Sequence, residues 1–211
     1  MLELNRIYNM DCLDGMRQLE DKSIDLVITD PPYGVNFEYN TYQDTDENWK
    51  KLFNKIIPEF KRISKMTILP SCQIKKLEYI YKTYPPDWLI CWYKGSPGHS
   101  AYIGFNDWEP LLVYGKNNTH MHDYFYCQPA QPTMEHPCPK PIEWAEWIIE
   151  RTTKKNDIIC DPFIGSGTSA VAAIKLSRVF VGFELDKRYF DAAQTRIKKA
   201  QEQSKIGAWF E

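Results

Sequence analysis

The chain has no apolar run approaching the roughly 20 residues that a membrane-spanning helix needs. It also has no internal repeat and no low-complexity stretch. Its start, Met1-Leu2-Glu3-Leu4-Asn5-Arg6, lacks the basic-then-apolar layout of a secretory signal. No two of the 6 cysteines (12, 72, 91, 127, 138 and 160) form a Cys-x-x-Cys pair. That leaves out the usual redox and zinc spacings and reads as free thiols in a reducing compartment. Nor is there a surplus of positive charge: the net value is −2, so any nucleic-acid surface has to be local. Together these absences predict a soluble intracellular protein with no membrane partner.

What is present is enough apolar material, 43% of 211 residues, to bury a full core in a single domain over 1–211. Short apolar runs followed by turn residues predict strands at Ile24–Thr29, Met66–Leu69, Trp88–Tyr93, Glu109–Tyr114, Asp157–Cys160 and Val179–Phe183, with a shorter one at Arg6–Tyr8. Helical spacing lies between several of them, at about 46–62, 73–82, 141–153, 167–177 and 187–203. This alternation predicts an α/β fold, a mostly parallel sheet wrapped on both faces. Residues 94–108 and 116–139 read as a loop and an irregular connection.

Two motifs carry chemistry. Asp30-Pro31-Pro32-Tyr33 follows the first strong strand, at the strand end where open α/β sheets bind ligands. The two prolines have no N–H and a fixed φ, which makes a stiff turn. Such a turn can aim the Asp30 carboxylate and the Pro31 carbonyl at one point, two acceptors for the two N–H bonds of an NH₂ group. Tyr33 offers an aromatic face on which a base stacks. An amine conjugated to a ring is a weak nucleophile. Accepting both its N–H bonds favours rehybridisation toward sp³ and frees the lone pair. A base inside a duplex is out of reach of such a site, so the target is flipped out or single-stranded.

The second motif is Asp161-Pro162-Phe163-Ile164-Gly165-Ser166-Gly167-Thr168-Ser169-Ala170, between a strand and a helix. Gly165 and Gly167 allow a ligand close to the backbone, and the helix N-terminus favours an anionic group. Glu184 ends the next strand, where a carboxylate can accept from both hydroxyls of a ribose. These residues alone fit NAD or another adenosine-containing cofactor equally well.

Taken together, the motifs resemble the DNA amino-methyltransferases. Asp30 to Tyr33 resembles their catalytic motif IV, Asp161 to Gly167 their cofactor motif I, and Glu184 the acidic end of motif II. His136-Pro137-Cys138-Pro139-Lys140-Pro141 is similar to the His-Pro-x-x-Lys-Pro segment at the methionine end of the cofactor. Asn9-Met10-Asp11-Cys12 is similar to the N-terminal element near the cofactor adenine. The catalytic motif precedes the cofactor motif, the circularly permuted order of the beta class.

The resemblance implies a doubly wound, Rossmann-like methyltransferase fold, with a seven-stranded mostly parallel sheet and an antiparallel edge hairpin. It implies S-adenosylmethionine as cofactor, held by Asp11, Cys12, Asp30, His136, Lys140, Asp161, Phe163, Gly165, Ser166, Gly167, Thr168 and Glu184. It implies Asp30, Pro31, Pro32 and Tyr33 as the catalytic set, and transfer to adenine N6 of a flipped base in double-stranded DNA. Family usage of Asp rather than Ser at the first catalytic position favours adenine over cytosine N4. A DNA-binding subunit that needs a catalytic partner is the alternative from another class. A homodimer in a prokaryotic or phage cytoplasm is the expected setting.

Beta-class enzymes usually insert a recognition domain before the His-Pro segment. Here residues 94–135 leave room only for a minimal recognition region, predicting relaxed specificity or recognition by a partner subunit. His99, Tyr102, Phe105 and Trp108 are its candidates for contact with bases. Between Lys50 and Lys65 lie six basic residues (50, 51, 55, 61, 62 and 65) against the single acid Glu59. Lys50 and Lys51 are therefore candidates for phosphate contact. His120, His122, Cys127, His136 and Cys138 match no standard zinc spacing, and no metal is expected.

Overall fold

A computed structural model of the chain describes residues 2–71, 74–95, 100–101, 104–105, 107–116, 122–130 and 140–207, with backbone alone at 74, 100–101, 104–105 and 205–207. In chain order the elements are β1 (Arg6–Asn9), α1 (Cys12–Met16), β2 (Ile24–Ile28), α2 (Asp46–Ile63), β3 (Ser64–Pro70), α3 (Ile74–Thr83), β4 (Trp88–Tyr93), β5 (Ser100–Ala101), β6 (Gly104–Phe105), β7 (Trp108–Tyr114), β8 (Tyr124–Tyr126), α4 (Ile142–Thr152), β9 (Ile158–Asp161), α5 (Thr168–Lys175), β10 (Val179–Glu184) and α6 (Lys187–Gly207).

One sheet runs β1-β10-β9-β2-β3-β7-β4-β8. All neighbours are parallel except β7, which is antiparallel to both β3 and β4. β2 and β9 lie in the middle, and their near-continuous burial is what a strand covered on both faces requires. One core cluster lies against α4, α5 and α6, and the other against α1, α2 and α3. The sheet is doubly wound.

The expected seven strands are present with an eighth, β8, among the described residues. It pairs outside β4, so the antiparallel part is not at the very edge. Three residues within a connection that reads as irregular give too short a pattern to recognise. What fixes them is tertiary: Phe125 stacks on Trp147 at 4.4 Å and on Trp92 at 6.3 Å.

α2 shows local sequence and tertiary packing in agreement. Thr45 caps it by accepting the Asn48 N–H at 3.2 Å, Asp46 and Glu47 sit in its first turn, and Lys61 and Arg62 in its last. Trp49, Phe53, Ile56, Ile57, Phe60 and Ile63 form its buried stripe.

Candidate active site

Because β1, β10, β9, β2 and β3 are mutually parallel, their carboxyl ends share one edge of the sheet. Val27 is in register with Cys160, Gly182 with Asp161, and Asn9 with Glu184. The segments starting at Asp11, Asp30 and Asp161, and the strand end at Glu184, therefore emerge side by side. The two central segments are also tied directly. The Thr29 hydroxyl donates to Asp161 Oδ1 at 2.6 Å, the Phe163 N–H to the same oxygen at 3.1 Å, and the Ser169 hydroxyl to Oδ2. Asp161 is buried. Burial pushes its carboxyl up to about 6; these hydrogen bonds oppose the rise, and the nearby charge of Asp30 adds to it.

Beyond Asp161 the chain turns over Gly165 (φ 50°) and Gly167 (φ 82°), the left-handed region that glycine tolerates. Gly167 precedes α5 and provides no side-chain cap, so the first amides of α5 keep donor capacity for a ligand. Gly182 lies beneath the turn, where an added Cβ would run into Ile164 Cδ1 and come within 3.1 Å of the Asp161 carbonyl. The lack of a side chain lets the turn sit flush on β10.

Glu184 stands beside this turn. Its Oε2 accepts the Gly165 N–H at 3.0 Å and its Oε1 the Asp186 N–H at 2.8 Å. Burial raises its carboxyl above the ordinary value. Two amides aim the carboxylate while each oxygen retains a lone pair. That suits an acceptor of paired ribose hydroxyls, and with the glycine turn and uncapped helix it fits an adenosine-containing group.

Arg196, half-buried on α6, braces the turn from outside. Its Nη1 donates to the Ser166 carbonyl at 3.2 Å, to Ser166 Oγ at 3.3 Å and to Thr168 Oγ1 at 3.0 Å. The Thr168 hydroxyl in turn donates to the Lys140 carbonyl at 3.3 Å. The Lys140 ammonium is 2.7 Å from Asp30 Oδ2, and the Tyr33 hydroxyl donates to Asp30 Oδ1. A chain of polar contacts thus runs from α6 through the glycine turn to the carboxylate of the first motif. Lys140 also lies 5.7 Å from the Tyr33 ring centroid, close enough for a cation–π contact.

The loop after Tyr33 folds around buried Asp44, which accepts from the Gly34, Val35 and Phe37 amides at 2.6, 3.0 and 3.2 Å. Asn40 then reaches across to Asp186 at 2.7 Å.

Asp30, Tyr33, Lys140, Asp161, Phe163, Gly165, Ser166, Gly167, Thr168 and Glu184 therefore lie in one connected region, with Pro31 and Pro32 in the turn between Asp30 and Tyr33. Asp11 caps α1 by accepting the Leu13 N–H at 2.8 Å, just beyond the Asn9–Glu184 pair. Cys12 is buried in the core, its thiol pushed up to about 12 by burial; its side chain serves packing. Lys50 and Lys51 do not form one phosphate-facing run: Lys50 is paired with Asp46 at 2.7 Å and Lys51 with Glu47 at 2.6 Å. Trp108 starts β7 and is exposed. His99, Tyr102, His120, His136 and Cys138 lie outside the described residues, and Phe105 has only its backbone described.

Thr29, Ser169, Asn40, Asp44 and Arg196 were not among the site residues expected from the sequence. Asp44 carried the one available signal, an acid ending a Gly- and Asn-containing loop next to a Thr cap.

Comparison with known proteins agrees with this arrangement. The DNA methylase family model N6_N4_Mtase matches residues 104–195. The type II methyltransferase M.HpaI of Haemophilus parainfluenzae is 27% identical over 91% of this chain and 74% of its own length. M1.MboII of Moraxella bovis is 24% identical over 92% and 96%. Among solved structures, the PvuII cytosine-N4-specific DNA methyltransferase superposes with a TM-score of 0.70 at 15% identity, covering 94% of this chain and 91% of that one. M1.HpyAVI, solved with SAM, superposes with a TM-score of 0.65 at 24% identity, covering 91% and 98%.

The fold is that of the methyltransferases, with catalytic-type and cofactor-type motifs on adjacent central strands. Within that class the chain is similar to the DNA methylases of the N6_N4_Mtase model over residues 104–195 and to type II methyltransferases over about nine-tenths of its length.

Proposed function

We propose that the protein transfers a methyl group from S-adenosylmethionine to adenine N6 of a flipped-out base in DNA. The observation that carries this reading is the meeting of Asp30 and the Asp161–Thr168 turn on neighbouring strands, tied by the Thr29–Asp161 hydrogen bond. An amine-holding turn and a nucleoside-holding turn are side by side.

When bound, S-adenosylmethionine supplies a methyl group on a sulfonium, an electrophile that an amine can attack. Glu184 holds the ribose hydroxyls, and the Gly165–Thr168 backbone lies along the methionine side. Asp30 and the Pro31 carbonyl accept the two N–H bonds of the target amine, drawing its lone pair out of the ring. Tyr33 stacks on the base. Each Asp30 oxygen already has one donor, Tyr33 or Lys140, and keeps a second lone pair for the incoming amine. Stabilising the charge that develops on nitrogen with a preorganised acceptor is electrostatic catalysis.

Asp30 at the first catalytic position supports adenine as the base. Residues 1–211 then act as one catalytic domain, with 94–135 as the region that meets flanking DNA, and a homodimer is the working assembly. Incubation with unmethylated DNA and labelled cofactor, followed by nucleoside analysis and modification-aware sequencing, tests the proposal. N6-methyladenine is expected. N4-methylcytosine would transfer the assignment to the other base, and cofactor binding without transfer to any DNA would make the chain a subunit that needs a partner.

A further inference from the structure

α3 breaks a rule that α2 follows. The N-terminus of a helix carries partial positive charge and favours acids, as Asp46 and Glu47 satisfy for α2. The first turn of α3 has no acid and instead carries Lys75 and Lys76. Both helices follow strands whose carboxyl ends form the catalytic edge, so their first turns lie at that edge.

Between them is a groove of about 440 Å³ lined by Gly34, Asp46, Trp49, Lys50, Lys75, Lys76, Glu78, Tyr79 and Lys82. Four lysines face two carboxylates there. Lys76 is buried, paired with Asp46 and 4.2 Å from the Trp49 ring centroid. Lys50 lies 5.5 Å from the Tyr79 ring centroid. Lys75 and Lys82 are exposed. The groove is contiguous with the first motif: Gly34 follows Tyr33 directly, and an added Cβ there would come within 2.7 Å of Trp49 Cβ.

We infer that this groove takes a backbone phosphate of the DNA strand that carries the target base. The inference rests on the proposed methyl transfer to DNA and extends it to where the strand runs. Lys75 and Lys76 run against the dipole at the positive end of α3. Lys50 and Lys76 share Asp46, and Lys82 in the last turn pairs with Glu78. Four lysines against two carboxylates still leave the groove net positive, a charge that a phosphodiester offsets while the aromatic floor keeps the ammonium groups in place. Tyr33 directly precedes Gly34 of the groove lining, so a base stacked on it would lie on the groove's side of the site. Phosphate contacts position a strand without reading its sequence, which suits a chain with little room for a recognition domain.

The test is DNA binding by the full chain across a salt series, comparing wild type with K75Q/K82Q and with K154Q/K155Q. Both pairs are exposed, and Lys154 and Lys155 lie in the α4–β9 turn at the opposite edge of the sheet. Removing one lysine–phosphate interaction should lower the slope of log affinity against log salt by about 1. K75Q/K82Q is expected to lower it by one to two, to weaken binding about ten-fold or more at low salt regardless of sequence, and to leave cofactor affinity unchanged. K154Q/K155Q is expected to match wild type. A slope for K75Q/K82Q equal to wild type overturns the inference while leaving methyl transfer standing, and so does an equal fall in both variants. A wild-type chain that binds and methylates no DNA overturns both.

Discussion

Replacing Arg196 with Met should weaken cofactor binding more than it weakens the fold. The Nη1 group has two N–H bonds for three acceptors at 3.0, 3.2 and 3.3 Å, so at most two are well made at once. A hydrogen bond involving a charged group contributes about 1.5–3 kcal/mol net. The long geometry and partial exposure put the total near the low end, about 2 kcal/mol, which corresponds to roughly a 30-fold loss. That loss should appear in cofactor affinity, because what Arg196 holds is the Ser166–Thr168 turn. Isothermal titration of the variant with cofactor reads it directly. R196K keeps the charge but not the planar fork and should fall between the two. A double-mutant cycle with T168V should show coupling, since both substitutions break the same hydrogen bond. An affinity within two-fold of wild type in a folded R196M chain, or additive effects in the cycle, would refute the reasoning.

Three further outcomes are expected. D30N should lower the methyl-transfer rate by about a hundred-fold or more, the scale of removing one preorganised electrostatic interaction, with a much smaller change in cofactor affinity; single-turnover kinetics separate the two. Asp161 has a folded-state value of about 6 against an ordinary 3.8, so between these values the folded chain holds a proton that the unfolded chain has released. Stability should therefore fall as pH rises from about 4 to about 6, by on the order of 3 kcal/mol; D161N should remove that slope in denaturant titrations at pH 4.5 and 6.5. Burial likewise raises Glu184, so cofactor affinity should decline on acidification at a higher pH than for an exposed glutamate. In E184Q that acid limb should be absent and binding about ten-fold weaker or more, as calorimetry across pH would show.

Much of the fold was legible because apolar runs ended cleanly in turn residues. The strand expected at Trp88–Tyr93 has those bounds, and the others differ by a residue or two. α1 was not, having only five residues and no full amphipathic period. In the site, contiguous motifs were readable, but their cross-connections were not. Nothing local pairs Lys140 with Asp30, 110 positions away; resemblance placed the lysine by the cofactor, while its ammonium lies on the catalytic carboxylate. The basic stretch is less one-sided in the structure than it reads in the sequence. A count beginning at Lys50 leaves out Asp46 and Glu47, the acids one turn earlier that pair with Lys50 and Lys51. Of that stretch Lys50 lines the groove, together with Lys75, Lys76 and Lys82 of α3.

The resting Asp30 carboxylate, with Tyr33 on one oxygen and Lys140 on the other, is fixed in position before any base arrives. On the proposed reading, a base still attached to its strand would bring phosphate contacts made elsewhere on the protein, remote binding energy that a free nucleoside lacks. Discrimination between polymer and monomer would then rest on those remote contacts, while the ion pair that the protein makes with itself keeps the acceptor in place.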